Sequence, residues 1–340
     1  MGNTRVMVTG VTGYIAGHCV RELLAHGYNV RGTVRDLVAA EVGHLRQFTQ
    51  SGTEGSFEVA QARLESDDGW AQAAEGCDYL WHLASPVPAK RPRHEDEYIR
   101  PIVDGVRRAL TAAAKAGIRR VVYISSIDTV IHNSATADRV RTEEDWSDPA
   151  QCGPYPKAKL HAERAAWDLA AEHKFELVTL LPGGVNGPLL RYDRPTTGDI
   201  PRWMLGGKMP LVPKVDIDVT DVRDLAVAHR LAMEIPEAAG NRYICASEPV
   251  QLGEIAAMLA AEYGSRGYPV SVRPLPTWVL RALSRVNDDM WLVNSLAGPK
   301  RVSSEKARKE LGWTPRPIRE SFIDNAEDLV ARGVVRPKRG

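Results

Sequence analysis

A strand, a glycine turn and a helix follow one another at the start of the chain, and this order constrains the fold more than any other feature. Arg5 to Thr9 is a short apolar run of strand length. Gly10-Val11-Thr12-Gly13-Tyr14-Ile15-Ala16-Gly17 follows, and a helical pattern then runs from His18 to His26. Gly10 permits a tight turn, and Gly13 lets the main chain approach a pyrophosphate. The helix start would offer that anion free N–H groups and the positive end of its dipole. Ala16 takes the third small position and still allows close helix–strand packing.

The first half of the chain repeats the alternation. Strand patterns cover Tyr28 to Asp36, Phe57 to Ala62, Cys77 to Pro86, Arg119 to Ser126 and Phe175 to Leu181. Helical patterns lie between them at Val38 to Gln50, Asp67 to Glu75, Glu97 to Gly117 and Leu160 to Ala171. Strands and helices at this spacing predict an α/β protein with a doubly wound parallel sheet. Ligands of such sheets sit at the strands' carboxyl ends. Ser134 to Pro149 reads as a loop, and Pro182 to Pro188 as a rigid turn closing the sixth strand. The alternation then fades into a helix at Asp221 to Met233, a strand at Asn241 to Ala246 and a helix at Leu252 to Tyr263. Aromatic segments around Trp278 and Trp291 precede an amphipathic helical tail from Val302 to Ala331. The expected organisation is a dinucleotide-binding domain over residues 1–182, with returning segments near 221–247. A smaller, interleaved C-terminal lobe, mainly substrate-binding, would occupy 183–340.

The bulk properties exclude several function classes. A net charge of +1 over 340 residues gives no global field for nucleic acid or an anionic membrane. No uncharged apolar run reaches membrane-spanning length. Cys19, Cys77, Cys152 and Cys245 lack the pair spacing of a zinc site or a disulfide framework, so no metal is expected. The start carries no pattern of a secretory signal, and a cytoplasmic protein is the default expectation.

The candidate chemistry gathers at the predicted strand ends. Arg35 and Asp36 close the second strand. A guanidinium there suits the 2′-phosphate of NADP, and a carboxylate suits the ribose 2′-OH of NAD. Arg35 comes first, which favours NADP and leaves NAD possible. Ala84 and Ser85 are small and leave room for a dinucleotide. Ser125 and Ser126 close the fifth strand; successive residues face opposite ways, so one of the two faces the crevice. Tyr155 and Lys159 stand four residues apart and share a helix face. Pro156 suits the first turn of that helix. A neighbouring ammonium and the helix dipole are expected to favour the phenolate, which makes Tyr155 a candidate general acid or base.

Taken together, these stretches resemble the extended short-chain dehydrogenase/reductase superfamily over essentially the whole chain. Within it the chain is most similar to the dihydroflavonol reductase, cinnamoyl-CoA reductase and microbial aldehyde reductase group. The resemblance rests on Val8 to Ala16, Thr33 to Asp36, His82 to Pro86, Ser125 to Val130, Tyr155 to Lys159, Ala162 to Trp167, Asp221 to Ala226 and Leu311 to Trp313. It implies a Rossmann fold and NADPH-dependent reduction of a bulky aldehyde or ketone, or the reverse alcohol oxidation. It places Gly10, Thr12, Gly13, Tyr14 and Ile15 in the cofactor loop, and Ala84, Ser85 and Pro86 on the fourth strand beside the cofactor. It makes Ser126 the functional serine, Tyr155 the proton donor and Lys159 the residue that lowers the Tyr pKa and binds the nicotinamide ribose. Pro182 to Val185 would line the nicotinamide.

The chain departs from the group at three places. Arg63-Leu64 stands where the group has an Asp-Leu pair near adenine. Asp128 replaces a Gly of many plant members, and Ile131 stands at their flavonoid-binding Asn, which argues against a flavonoid. A second basic residue beyond Arg35 is not evident in the adjoining sequence. Two other readings belong to the same fold: an epimerase, dehydratase or sterol-type dehydrogenase holding NAD, and a non-catalytic dinucleotide sensor. Tyr155 and Lys159 weigh against the sensor. The expected partner is a small carbonyl or alcohol, with a homodimer as the assembly the fold often makes.

Overall fold

A computed structural model describes residues 4–49, 54–86, 94–191, 199–247, 249–285 and 301–338. Trp291 falls outside them. The chain divides into two compact units. The first joins Met1–Pro182, Arg223–Cys245 and Val302–Thr314; the second joins Gly183–Val222, Ala246–Arg301 and Pro315–Gly340.

The first unit is built on a seven-stranded parallel sheet. Its strands are β1 (Arg5–Val8), β2 (Asn29–Val34), β3 (Phe57–Gln61), β4 (Tyr79–His82), β5 (Arg120–Ile124), β6 (Glu176–Pro182) and the segment Arg242–Cys245. Their spatial order is Arg242–Cys245, β6, β5, β4, β1, β2, β3, every pair parallel. The order reverses between β1 and β4, the topological switch point where such sheets open a crevice. β5 is buried along its whole length, as expected of a parallel strand covered on both faces. Even Arg120 is drawn in: it pairs with Glu176 and donates to the carbonyls of Ala232, Met233, Ile235 and Pro236. It thereby satisfies carbonyls at and just beyond the C-terminal turn of the helix Val222–Glu234.

Six helices of this unit follow in order: α1 (Tyr14–Ala25), α2 (Gly43–Arg46), α3 (Trp70–Ala74), α4 (Asp96–Lys115), α5 (Asp128–Ile131) and α6 (Pro154–His173). α6 buries Ala158, Ala162, Ala165, Ala166 and Ala170 in one cluster with Val103, Val106, Ala109, Leu110 and Ala113 of α4. The alanines recur at helical spacing, so their stripe keeps one face thin and lets the two helices approach closely.

Several expected elements differ in extent. Of the helix expected over Val38 to Gln50, Gln50 lies outside the described residues, and the rest is α-helical over α2 alone, with a short 3₁₀ turn at Gln47–Thr49. The reason is Asp36, whose carboxylate accepts from the N–H groups of Val38 and Ala39 and folds a turn there first. The helix expected over Asp67 to Glu75 is confined to α3. α5, a helix the sequence pattern did not show, starts two residues beyond the expected end of the fifth strand, because Ser126 O accepts from both the N–H and the hydroxyl of Thr129. The tail is two helices, Glu305–Glu310 and Ile318–Ala331, and they belong to different units. Between them the indole of Trp313, buried in the first unit, donates to Asp224 O.

In the second unit Pro182 to Pro188 is not a simple turn. Gly184–Asn186 is a short strand paired in parallel with Val219–Asp221. The N–H groups of Gly183 and Gly184 are taken by Thr220 Oγ1 and Asp218 O, so the neighbouring strand satisfies them. Trp278 is 74% exposed on the helix Thr277–Leu283 and packs in no core. Among the described residues no helix is long and apolar enough to cross a membrane.

Candidate active site

The carboxyl ends of β1, β2 and β4 are stapled together by a few side chains. Thr9 Oγ1 accepts from the N–H groups of Leu83 and Ala84, both at 2.9 Å, and lies 3.1 Å from His82 Nδ1. Thr33 Oγ1 accepts from Gly10 N–H at 3.1 Å, and Thr33 O accepts from Val11 N–H at 3.2 Å. Gly10 has φ +68°, and a Cβ there would stand 3.1 Å from Ala84 Cβ. A side chain is thus disfavoured by conformation and would also crowd Ala84. Gly32 is needed on the other side: a Cβ there would meet Val11 Cγ1 at 2.6 Å.

These features fit a dinucleotide. Gly13 caps α1 without a side chain, and the first turn of α1 carries no acidic residue. Thr12 and Gly13 are exposed, and Tyr14 and Ile15 partly so. Ser85 Oγ, just past β4 between Ala84 and Pro86, is buried and has no partner among the described residues. A buried hydroxyl without a partner carries a desolvation cost that a polar ligand group would relieve.

Arg35 and Arg63 stand exposed at the ends of β2 and β3. Arg63 Nε donates to Arg35 O at 2.8 Å. Leu64 packs elsewhere: a Cβ on Gly105 of α4 would lie 2.8 Å from Leu64 Cδ2. Pro182 ends β6, and its carbonyl accepts from Ile127 N–H at 3.1 Å, tying the ends of β5 and β6 together. Val185 belongs to the second unit, in the strand Gly184–Asn186.

The two serines at the end of β5 diverge. Ser125 is buried and donates to Glu163 Oε2 at 2.6 Å. Ser126 is half-buried and donates to Asp128 Oδ2 at 3.0 Å, while Asp128 Oδ1 lies 3.0 Å from His132 Nε2. One hydroxyl serves the interior and the other a small polar chain that the sequence did not announce.

Tyr155 is the second residue of α6, after the cap Gly153 and Pro154. Its phenol is held well above the ordinary tyrosine range, first by burial, then by the negative charge of Asp128, with Tyr98 contributing. Burial and Asp128 thus act against the ammonium and the helix start, which favour the phenolate. Lys159, one turn on, is buried and donates to Ile124 O at 2.9 Å, with its ammonium 5.3 Å from the centre of the Tyr123 ring. Burial lowers its pKa to about 8, against the opposing pull of Glu163 and Asp128. The site therefore combines a neutral phenol, a tethered hydroxyl and a buried amine that titrates near neutrality. His82 lies behind them, stacked on Tyr123 with centroids 5.6 Å apart, and burial keeps it neutral with a pKa near about 3.

Residues 6–246 match the family described as the NAD dependent epimerase/dehydratase family. The chain is 33% identical over 334 residues to cinnamoyl-CoA reductase 1 of Petunia hybrida, covering 96% of this chain and 92% of that one. It is similar in structure to vestitone reductase from alfalfa, with a TM-score of 0.75 and 25% identity, covering 97% of this chain and 99% of that one. Gre2 of Candida albicans, solved in complex with NADPH, gives a TM-score of 0.77 at 26% identity, again over 97% and 99%. The chain is an oxidoreductase that belongs to the NAD dependent epimerase/dehydratase family, within the extended short-chain dehydrogenase/reductase superfamily.

Proposed function

We propose that the protein is an NADPH-dependent carbonyl reductase acting on a bulky aldehyde or ketone. The observation that carries this reading is the placement of Tyr155 and Lys159 one turn apart at the start of α6, with Lys159 held on Ile124 O at the end of β5 and the Ser126 hydroxyl two residues beyond it. NADPH, when bound, supplies the hydride. Gly10, Thr12, Gly13, Tyr14 and Ile15 would hold its pyrophosphate, Ala84, Ser85 and Pro86 would flank it, and Arg35 would meet its 2′-phosphate.

Everything else is the work of this chain's side chains. As the carbonyl carbon is reduced, its oxygen becomes an alkoxide and needs a proton. Tyr155 gives that proton from its hydroxyl. Ser126 would turn its one O–H from Asp128 Oδ2 to the same oxygen and steady its developing charge. Asp128 holds the Ser126 hydroxyl until then, its N–H donating to Ser126 Oγ, and its charge discourages early loss of the Tyr155 proton. Lys159, held on Ile124 O, would position the nicotinamide ribose, and Pro182 would line the nicotinamide. The names of cinnamoyl-CoA reductase and of the NADPH complex of Gre2 support a carbonyl substrate and this cofactor.

A panel of aldehydes and ketones, run with NADPH and NADH in parallel, tests the reading. Tyr155→Phe should lower kcat by about 10²–10⁴-fold on every accepted carbonyl, the usual contribution of a placed proton donor. Cofactor affinity, measured by fluorescence titration, should stay within about 2-fold, as expected when only a transition-state interaction is lost. Unchanged turnover in that variant, or a preference for NADH, would overturn the assignment.

A further inference from the structure

We propose that Arg63 is the second cation of the 2′-phosphate subsite, acting beside Arg35, where the group this chain resembles places an acidic residue. The proposal rests on the dinucleotide reading above and adds a residue that fixes cofactor choice.

The placement comes from the sheet. β2 and β3 are parallel neighbours, with Val34 opposite Gln61, and Ala62 N–H continues the ladder to Val34 O. The residues that leave the two strands therefore emerge side by side. Arg63 is then fixed at both ends. Its carbonyl accepts from the indole of the buried Trp70 at 2.9 Å, and its Nε donates to Arg35 O at 2.8 Å. Gln61 Nε2 also donates to Arg35 O, at 3.1 Å. One main-chain oxygen thus gathers the ends of both strands.

What remains unspent is cationic. An arginine offers donors on Nε and on both terminal nitrogens. Among the described residues only Nε of Arg63 is used, and no carboxylate forms an ion pair with Arg35 or Arg63, though the Asp36 pKa is lowered, chiefly by the N–H groups of Ala39 and Val38, with help from the charge of Arg63. Asp36 is the near acid. Its Oδ1 is committed to the N–H groups of Val38 at 2.8 Å and Ala39 at 3.2 Å. Its Oδ2 takes no hydrogen bond among the described residues and stays open as an acceptor, so cofactor choice turns on the two guanidinium groups that outnumber this one acid. Two exposed guanidinium groups, pre-placed on a shared anchor, suit a dianion that accepts from both. They do not suit a neutral hydroxyl. An acidic residue at position 63 would instead set a second negative charge beside Asp36.

The test is calorimetric binding of two small probes to the full-length protein: 2′,5′-ADP, which carries the 2′-phosphate, and 5′-AMP, which lacks it. In Arg63→Gln the Kd for 2′,5′-ADP should rise about 10-fold or more, the loss of one charge-assisted contact. The Kd for 5′-AMP should stay within about 2-fold, because its contacts are untouched. Arg63→Lys should fall between wild type and Gln, keeping charge but losing the fork. The 5′-AMP measurement also reports that each variant is folded. Equal weakening of both probes would overturn the proposal and assign Arg63 to the adenine. Unchanged 2′,5′-ADP binding with normal 5′-AMP binding would overturn it and leave the dinucleotide reading standing. Failure of the wild type to bind either probe would overturn both.

Discussion

Glu163→Gln should destabilise the protein by about 3 kcal/mol, the lower part of the usual cost of breaking a buried ion pair from one side. Glu163 is fully buried on α6, one turn beyond Lys159 and two beyond Tyr155. Its Oε1 lies 2.8 Å from Arg242 Nε and accepts from the Thr179 hydroxyl at 2.9 Å. Its Oε2 accepts from Ser125 and, at 3.3 Å, from Arg242 Nη2. The other donors of Arg242 go to Glu143 O, Asp145 O and Thr129 Oγ1. Its guanidinium stacks 3.7 Å from the centre of the Trp146 ring. Gln keeps the shape but removes the countercharge and turns one acceptor into a donor that faces donors. The carbonyls of Glu143 and Asp145 still solvate the cation, which is why the lower figure applies. A loss of about 3 kcal/mol corresponds to roughly 4 °C in Tm for a chain of 340 residues at about 2.1 cal/mol/K of unfolding entropy per residue.

The assay is urea unfolding followed by tryptophan fluorescence, which Trp146 reports directly. Arg242→Met and the double variant complete a cycle. Removing Arg242 as well relieves the orphaned charge, so the double variant should be more stable than additivity predicts, by about 2 kcal/mol. The pH dependence has a definite sign. Burial alone would raise the Glu163 pKa, but the charge and hydrogen bonds of Arg242 outweigh it, with help from Ser125 and Thr129, and the net value is lowered. The carboxylate's contribution is therefore fully present above the unfolded value of about 4.3 and fades as pH falls through the lower folded value. The gap between wild type and Glu163→Gln should close below roughly pH 4 on the same reasoning. A loss under about 1 kcal/mol, or a gap indifferent to acid, would refute the claim that Glu163 and Arg242 form a buried pair that is costly to break from one side.

Two further outcomes follow from the site's electrostatics. Asp128→Asn removes the charge that, after burial, holds the Tyr155 phenol up; its pKa should fall, as read by tyrosinate absorbance against pH, and an unmoved titration would remove Asp128 from the account. Lys159→Met should abolish a rise in stability between about pH 8 and pH 10.4, the interval in which the unfolded lysine holds a proton that the buried one has lost. Urea midpoints across that interval check it, and a slope unchanged by the substitution would count against a depressed Lys159.

The sheet was legible because its signals are local. Apolar runs mark β1 to β6, and small residues mark their ends, so the strand positions and the gathering of Gly10, Arg35, Ser85 and Ser126 at one edge could be read in order. The helix Leu252–Tyr263 has the bounds its pattern predicts. What escaped depends on partners far along the chain. Glu163 meets Arg242 across 79 positions, and no spacing rule links them. Ser125 and Ser126 could not be told apart by alternation alone; Glu163 takes one and Asp128 the other. The paired strands of the second unit are two or three residues long, too short to show a period. Asp128, read as a single acid beside a serine, proves to be tied to His132 one turn on. An acid and a histidine four residues apart could have flagged that contact, had α5 been recognised as a helix.

The state of Tyr155 turns on which effect is larger. A helix N-terminus is worth about 0.3–1 kcal/mol to a nearby negative charge. Burial of a phenol can move its pKa by up to roughly 3 units, each worth about 1.4 kcal/mol. Tyr155 sits in the first turn of α6, yet it packs against the core and faces the charge of Asp128. The ammonium of Lys159 donates to Ile124 O, and its own charged form is disfavoured by burial. The larger effects therefore oppose the phenolate. A phenol held as an acid is ready to give a proton to an alkoxide and must be deprotonated before it can take one from an alcohol. On this balance Tyr155 enters reduction already in its proton-giving form, and the reverse reaction must wait for a scarce phenolate. Reduction consumes a proton, so oxidation gains on reduction with rising pH whatever group carries that proton, and the ratio of the two rates is not the test. The test is kcat for alcohol oxidation alone: it should keep rising about tenfold per pH unit to roughly pH 10, the ordinary tyrosine value, without a plateau. A plateau well below that value would show that the group taking the proton is not a phenol held up by burial and Asp128.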